Sequence, residues 1–215
     1  MKQSTRLAIP ALALIALVSF TVYLAIRGTD RDAGVDRAGL AAGIAADVDL
    51  DAPVGGSFML VGTDGRPVSD SDFRGQYMLM VFGYTYCPDV CPMSLLAVSN
   101  ALSTLEQSSP ERANRLTPVF VTLDPERDSP AVLRRYLKSF HPRTVGLTGS
   151  LADIQRMATA YAVRFSKVVD EDYSDYLLDH TTNIMLFDDK GVYLTHFSPQ
   201  TPPELMADAI ARYIR

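Results

Sequence analysis

The residues with the clearest capacity for chemistry are Cys87 and Cys91, in the segment Tyr84-Thr-Tyr-Cys-Pro-Asp-Val-Cys-Pro92. An apolar run before them predicts a buried strand over Tyr77 to Tyr84, and a helix is predicted from Cys91 to Glu106. Backbone N–H groups and the positive end of a helix dipole stabilise thiolates, so we expect both cysteines to be more reactive than buried structural ones. A plain disulfide, a redox-active disulfide and a metal site all stay open.

Composition removes several classes of function. The chain has 215 residues, a formal net charge of −5 and 47% hydrophobic residues, which indicates a folded protein and gives no basic surface for nucleic acid. Its two cysteines are too few for a disulfide-dense scaffold or a four-thiolate zinc site. Any metal site must therefore include other residue types.

The N-terminal segment predicts a membrane anchor. No charged residue lies between Leu7 and Ile26, and a helix of that length covers the roughly 30 Å hydrocarbon core of a bilayer. Lys2 and Arg6 favour a cytoplasmic N-terminus, which puts the rest of the chain on the periplasmic side of a bacterial-type inner membrane. A cleaved signal peptide is the alternative, but its apolar core is usually shorter.

Three parts of the chain follow from this pattern. Residues 1–26 form the cytoplasmic end and the anchor, and residues 27–52, rich in Ala, Gly and Asp, form a flexible linker. Residues 53–215 form the folded domain, in which predicted strands alternate with helices that begin after Ser129 and Ser150. We expect an α/β fold with a mixed central sheet flanked by helices.

Three sequence blocks resemble those of the Sco/SenC family. They are Cys87-Pro-Asp-Val-Cys91-Pro, Val121-Thr-Leu-Asp-Pro-Glu-Arg-Asp-Ser-Pro130, and Asp179-His-Thr-Thr182 ahead of a strand. The resemblance implies a thioredoxin-like fold and a copper-binding protein that takes part in assembly of the binuclear copper centre of cytochrome c oxidase. It makes Cys87, Cys91 and His180 the copper ligands, with Cys87 and Cys91 also able to form a redox-active disulfide.

The chemistry of these side chains suits that assignment. Two thiolates and one imidazole form a soft donor set for Cu(I), and with a further donor they can hold Cu(II), while zinc is the chemical competitor. A lone histidine is more often structural, and we expect His180 to lie on a loop at the edge of the sheet. Asp124, after a buried strand, is either an acceptor that modulates the site or a carboxylate of a turn.

An acidic segment from Ser166 to Leu178 leads directly to His180. Such a run is usually a solvated loop, but its position makes it a candidate mobile lid or partner-docking element.

Three functions compete at this stage. A metallochaperone, which is not an enzyme, would carry copper to the copper-bearing subunit of cytochrome c oxidase, and could exchange it with other copper chaperones. A thiol-disulfide oxidoreductase would use Cys87 and Cys91 to reduce the cysteines of that copper site, and would itself need thiol reductants. A redox or copper sensor is the third class. The resemblance favours the metallochaperone.

Overall fold

Two sheets and the helices around them make up residues 54–169 and 175–214, which are the residues that the computed structural model describes. The strands are β1 (Met59–Gly62), β2 (Pro67–Ser69), β3 (Tyr77–Gly83), β4 (Leu116–Thr122), β5 (Val145–Thr148), β6 (Phe165–Val168), β7 (Leu177–His180), β8 (Ile184–Phe187) and β9 (Tyr193–Phe197). The helices are α1 (Val90–Ser108), α2 (Pro110–Ala113), α3 (Pro130–Leu137), α4 (Leu151–Ala160) and α5 (Pro203–Tyr213), with a 3₁₀ turn at Asp70–Phe73.

The larger sheet is mixed, as the alternating strands and helices predict. Its strand order is β2-β1-β5-β4-β3-β8-β9, with β3, β4 and β5 parallel and the remaining pairs antiparallel. Strands β6 and β7 form a separate two-stranded sheet. The central position of β3 explains its sequence, because a strand that is covered on both faces can be apolar without alternation.

Each face of the larger sheet has its own hydrophobic core. Met78 and Met80 of β3 belong to one core, and Leu79 and Val81 belong to the other, because successive side chains of a strand point to opposite faces. Helices α1, α3 and α5 contribute to the second core, and α4 contributes to the first. Every residue of the central strands β3 and β8 is buried beneath these two cores.

The predicted helix starts at Ser129 and Ser150 are confirmed. The Ser129 hydroxyl accepts a hydrogen bond from Val132 N–H at 3.4 Å, and the Ser150 hydroxyl accepts one from Asp153 N–H at 3.1 Å. Each bond satisfies a backbone donor that the first turn leaves unpaired. The helix predicted from Cys91 is present as α1 and begins one residue earlier.

The prediction of a loop over the acidic segment is wrong at both of its ends. Strands β6 and β7 pair antiparallel, and Phe165 lies opposite His180. Each strand has only four residues, and β6 is largely exposed, so neither strand has the apolar alternation that identifies a strand from sequence. Residues 170–174 between them lie outside the described residues, and a role as lid or docking element stays a prediction.

The predicted anchor at Leu7–Ile26 and all of the predicted linker, residues 27–52, also lie outside the described residues. Within residues 54–169 and 175–214, every helix is too short or too polar to cross a membrane.

Gly83, the last residue of β3, allows Cys91 to approach the sheet. A Cβ atom at this position would lie 2.7 Å from Cys91 Sγ, which is closer than real Cβ atoms pack, and 3.0 Å from Phe120 Cε2, which is a tight contact. Both neighbours are buried, so neither can move into solvent. The start of α1 can therefore lie against the end of β3 only because residue 83 has no side chain.

We expect Gly83→Ala to lower the free energy of unfolding by about 1–3 kcal/mol, which is the usual cost of overpacking a core. Urea unfolding of the reduced protein measures it. Gly65→Ala is the matched control, because Gly65 has open space around its Cα and a φ of 84°, so its cost of about 1 kcal/mol comes from the backbone alone. A Gly83→Ala protein as stable as the wild type would contradict the close packing of Cys91 on β3.

Candidate metal centre

The two cysteines lie where β3 ends and α1 begins. Cys87 is half-buried in the connecting loop, and Cys91, the second residue of α1, is only 1% exposed. The backbone N–H of Cys91 donates to Cys87 Sγ at 3.4 Å, so the cysteine spacing brings the first sulfur over the start of the helix. Both cysteines are free thiols.

His180 is brought to the cysteines by the two-stranded sheet. It is the last residue of β7, which corrects the expectation that it lies on a loop. Its Nε2 lies 3.4 Å from Cys91 Sγ, and its Nδ1 lies 2.8 Å from the carbonyl oxygen of Thr181. A carbonyl only accepts hydrogen bonds, so Nδ1 carries the proton and the Nε2 lone pair faces the sulfur.

Three side chains thus form a compact donor set. One ligand atom from each of Cys87, Cys91 and His180 lies within 4.8 Å of the other two. In the described part of the chain, no other group of three or more histidine, cysteine and carboxylate side chains converges in this way. Two sulfurs and an imidazole nitrogen with a free lone pair suit Cu(I) or Zn²⁺, and they do not suit Mg²⁺ or Ca²⁺, which bind oxygen.

The Cys87 thiol is strongly acidic. A hydrogen bond from the Cys91 thiol is the largest cause, and hydrogen bonds from the backbone N–H groups of Cys91 and Asp89, together with the nearby His180 side chain, add to it. These donors outweigh partial burial and lower the pKa of Cys87 to about 4. Cys87 is therefore a thiolate at neutral pH, as its place before a helix N-terminus predicts.

Cys91 behaves in the opposite way, which corrects the expectation that both cysteines favour the thiolate. Its thiol donates to the Cys87 thiolate, and burial and the nearby negative charge of Cys87 also oppose its ionisation, so its pKa is raised above the usual range. The two close sulfurs hold one proton between them at neutral pH. The proton stays on the buried Cys91, and the more accessible Cys87 is the thiolate.

A buried carboxylate holds the loop that precedes Cys87. Asp128 is fully buried and accepts hydrogen bonds from Thr85 N–H at 2.9 Å, from Thr85 Oγ1 at 2.5 Å and from Thr122 Oγ1 at 2.6 Å. Desolvation raises its pKa, and the three hydrogen bonds oppose that rise. Asp128 is not among the site residues predicted from the sequence, although it belongs to the same Asp-Pro-Glu-Arg-Asp block as Asp124.

Asp124, the candidate modulator, is 2% exposed and lies beside the hairpin that carries His180. It pairs with Arg127 and accepts a hydrogen bond from the Tyr176 hydroxyl at 2.8 Å. Its hydrogen-bond and ion-pair partners in the described structure are neighbours of the proposed ligands, not the ligands themselves. A direct effect of Asp124 on the site stays a prediction.

Tyr84 joins the cysteine loop to the hairpin, and sequence reasoning missed it. Its ring is 2% exposed and contacts the His180 ring edge-on, with centroids 5.9 Å apart and planes at 82°. Its hydroxyl oxygen accepts the Leu178 N–H at 3.1 Å. The only sequence signal for this role is an aromatic residue with a polar end at the close of a buried strand.

Comparison with known proteins gives a consistent result. The family model described as SCO1/SenC matches residues 46–215. The mouse protein named Protein SCO2 homolog, mitochondrial, is 38% identical over 159 residues, which are 74% of this chain and 62% of that protein. Protein SCO1 homolog 1 of Arabidopsis thaliana is 34% identical over 76% of this chain and 48% of its own length. The chain therefore spans about half to two thirds of these relatives.

Solved structures agree in fold. Bradyrhizobium japonicum ScoI with copper bound has a TM-score of 0.67 and 39% identity, covering 74% of this chain and 99% of that one. Arabidopsis thaliana ScoI with copper bound has a TM-score of 0.71 and 33% identity over 75% of this chain and 98% of that one. The fold is thioredoxin-like, with a mixed sheet and flanking helices. From the family match, the identities and the shared fold together, the chain belongs to the SCO1/SenC family.

Proposed function

We propose that this protein is a membrane-anchored copper metallochaperone that binds copper through Cys87, Cys91 and His180. It delivers the metal to the binuclear copper centre of cytochrome c oxidase during assembly of the enzyme. Its domain lies on the periplasmic side of the membrane, and the predicted anchor and linker hold it near an integral membrane partner, which raises the effective concentration.

The observation that carries this proposal is the convergence of three ligand atoms within 4.8 Å of one another. His180 Nδ1 donates its proton to the carbonyl oxygen of Thr181 in a hydrogen bond, so the lone pair of Nε2 is free. This hydrogen bond orients the imidazole for a metal. The soft donor set fits copper, and relatives with 33% and 39% identity have been solved with copper bound.

The asymmetry of the cysteines suggests an order of events. The half-buried Cys87 thiolate is the accessible sulfur and meets the incoming copper ion first. Cys91 loses its proton as its sulfur coordinates, and His180 completes the site. Delivery is the reverse by ligand exchange: donors of the recipient replace these ligands one at a time, and the oxidation state of the copper does not change.

The second candidate function is thiol-disulfide reduction, which the low pKa of Cys87 favours. The Cys87 thiolate would attack a partner disulfide and form a mixed disulfide, with one partner thiolate leaving. Cys91 would then lose its proton and attack Cys87 Sγ, which releases the second partner thiolate. The partner gains two electrons, and this chain ends with a Cys87–Cys91 disulfide.

The first prediction concerns the thiolate. In the reduced, metal-free protein, the rate at which iodoacetamide alkylates Cys87 should be nearly constant between about pH 6 and 8. The alkylation rate of an ordinary thiol, with a pKa of about 8.5, falls roughly tenfold for each unit by which the pH is lowered in that range. Cys91→Ala removes the main donor to the thiolate, so the pKa should rise and the rate should fall with decreasing pH. A wild-type rate that falls tenfold per unit would contradict the assigned charge state.

The second prediction tests the proposed function directly. The reduced protein should bind one copper ion per chain, and the oxidised protein none, because a disulfide removes both anionic ligands. His180→Ala should weaken copper affinity by at least about tenfold, since even residues that only orient a ligand contribute that much. Competition with a chelator measures the affinity. His196→Ala is the control, because His196 is a half-buried histidine of β9 outside the cluster. Equal binding by the oxidised protein would exclude the proposal.

The third prediction separates delivery from reduction. His180→Ala removes a copper ligand and leaves the dithiol able to reduce a disulfide. Cells with this variant should fail to assemble active cytochrome c oxidase, although the purified variant still reduces a model disulfide. Full oxidase activity in these cells, together with lost copper affinity in vitro, would favour the reductase instead.

A further inference from the structure

The hairpin that carries His180 is weakly connected to the rest of the fold. Strands β6 and β7 share no backbone ladder with the larger sheet. A cleft of about 650 Å³ opens beside Phe165, Asp179 and His180, and a second of about 240 Å³ lies between the hairpin, α4 and Asp124. Between these clefts, the hairpin packs on the core through Leu178, Phe165 and Tyr176, so the contacts around these residues set the position of its histidine.

We propose that Arg127 is the positioning residue that holds this hairpin against the cysteine loop and thereby determines how long copper stays at the site. The proposal rests on the copper function above and adds a residue to it. Among the described residues, the hydrogen bonds, ion pairs and ring contacts of Arg127 are with residues other than the three proposed ligands. It acts through their neighbours.

On the hairpin side, Arg127 makes polar contacts with the two residues that directly precede β7. Its Nη1 donates to the carbonyl oxygen of Tyr176 at 2.9 Å and lies 3.3 Å from the Asp175 carboxylate. Its Nε pairs with the buried carboxylate of Asp124, which also accepts the Tyr176 hydroxyl at 2.8 Å. One guanidinium thus ties the start of β7 to the loop after β4.

On the cysteine side, Arg127 is enclosed by tyrosine rings. Its Cζ lies 3.7 Å from the centroid of the Tyr176 ring, 4.8 Å from that of Tyr86 and 5.8 Å from that of Tyr84. Tyr86 directly precedes Cys87, and Tyr84 contacts the His180 ring. A displacement of the guanidinium would therefore shift the neighbours of both Cys87 and His180.

The enclosure is specific for arginine. Nη2 is buried and has no hydrogen-bond partner among the described residues, and three tyrosine rings lie within 6 Å of Cζ. A planar, weakly hydrated guanidinium can stack on rings while its edge donates two or more hydrogen bonds. A lysine ammonium is a compact, strongly hydrated charge and cannot do both.

A purely structural role is the competing explanation, and it makes a different prediction. If Arg127 only stabilised the fold, its replacement would affect copper retention equally with or without His180. If it acts by placing His180, its effect should disappear when that imidazole is absent, which a double-mutant cycle measures.

The experiment uses the full-length, reduced protein loaded with Cu(I), and follows the rate at which a chelator removes the copper. Arg127→Lys should speed dissociation by about 10- to 100-fold, the usual effect of losing a residue that orients a metal ligand. In the His180→Ala background, the same change should alter the rate less than about twofold. Arg115→Lys is the matched control: Arg115 also lies over a tyrosine (Tyr77, 5.5 Å) and pairs with an aspartate (Asp189, 3.2 Å), at the opposite end of β3.

Hydrogen exchange of the metal-free protein gives a second readout that needs no copper. Arg127→Lys should speed amide exchange in residues 177–180, while Arg115→Lys should not. These residues include Leu178, whose N–H donates a hydrogen bond to the Tyr84 hydroxyl oxygen. If Arg127→Lys fails to fold, Tyr176→Leu removes the nearest ring, keeps the Asp124 pair, and should give the same two results.

An unchanged dissociation rate, or an equal acceleration with and without His180, would overturn the proposal. If His180→Ala itself leaves copper affinity intact, the proposed ligand set fails instead. Hydrogen exchange then still decides on Arg127, because unchanged exchange of residues 177–180 overturns its positioning role and faster exchange supports it.

Discussion

The contact between Cys91 and His180 is the constraint on which this end of the fold depends. It joins residues 89 positions apart in the chain at 3.4 Å, and one of its partners is almost fully buried. Cys91 can occupy that position because Gly83 leaves room for its sulfur at the end of β3. His180 reaches it because β7 ends there, with Tyr84 supporting both the strand and the ring. The site is thus a product of strand ends, as in other open α/β sheets.

Two buried carboxylates hold the segments on either side of this contact, one in the cysteine loop and one beside the hairpin. Asp128 binds the backbone and hydroxyl of Thr85 in the cysteine loop, while Asp124 binds Arg127 and Tyr176 beside the hairpin. A buried charge destabilises the fold unless it is paired and hydrogen-bonded. Removal of one partner therefore leaves the desolvation free energy of the carboxylate without compensation. The short segment from Asp124 to Asp128 therefore fixes both halves of the site, although it supplies none of the three proposed ligands.

The sequence predicts much of this architecture but little of the support for the site. The apolar run of β3 and the serine caps are local signals, and local signals are what hydrophobic periodicity and capping chemistry report. The roles of Tyr84, Asp128 and Arg127 depend on contacts between segments far apart in the chain, which no local pattern encodes. The opposite charge states of the cysteines also escape prediction, because spacing cannot tell that Cys91 becomes buried and donates to Cys87.

Metal transfer and disulfide reduction place different demands on these residues. Reduction needs an accessible thiolate and a protonated partner close behind it, and Cys87 and Cys91 meet that demand chiefly through their contact with each other. Holding a metal adds the imidazole, which belongs to a separate two-stranded sheet. Cys91 belongs to the core on one face of the larger sheet and Cys87 packs against it, whereas His180 comes from strands that share no backbone ladder with that sheet. Under the proposed function, release of copper by ligand exchange would begin at His180 while the two sulfurs still hold the metal.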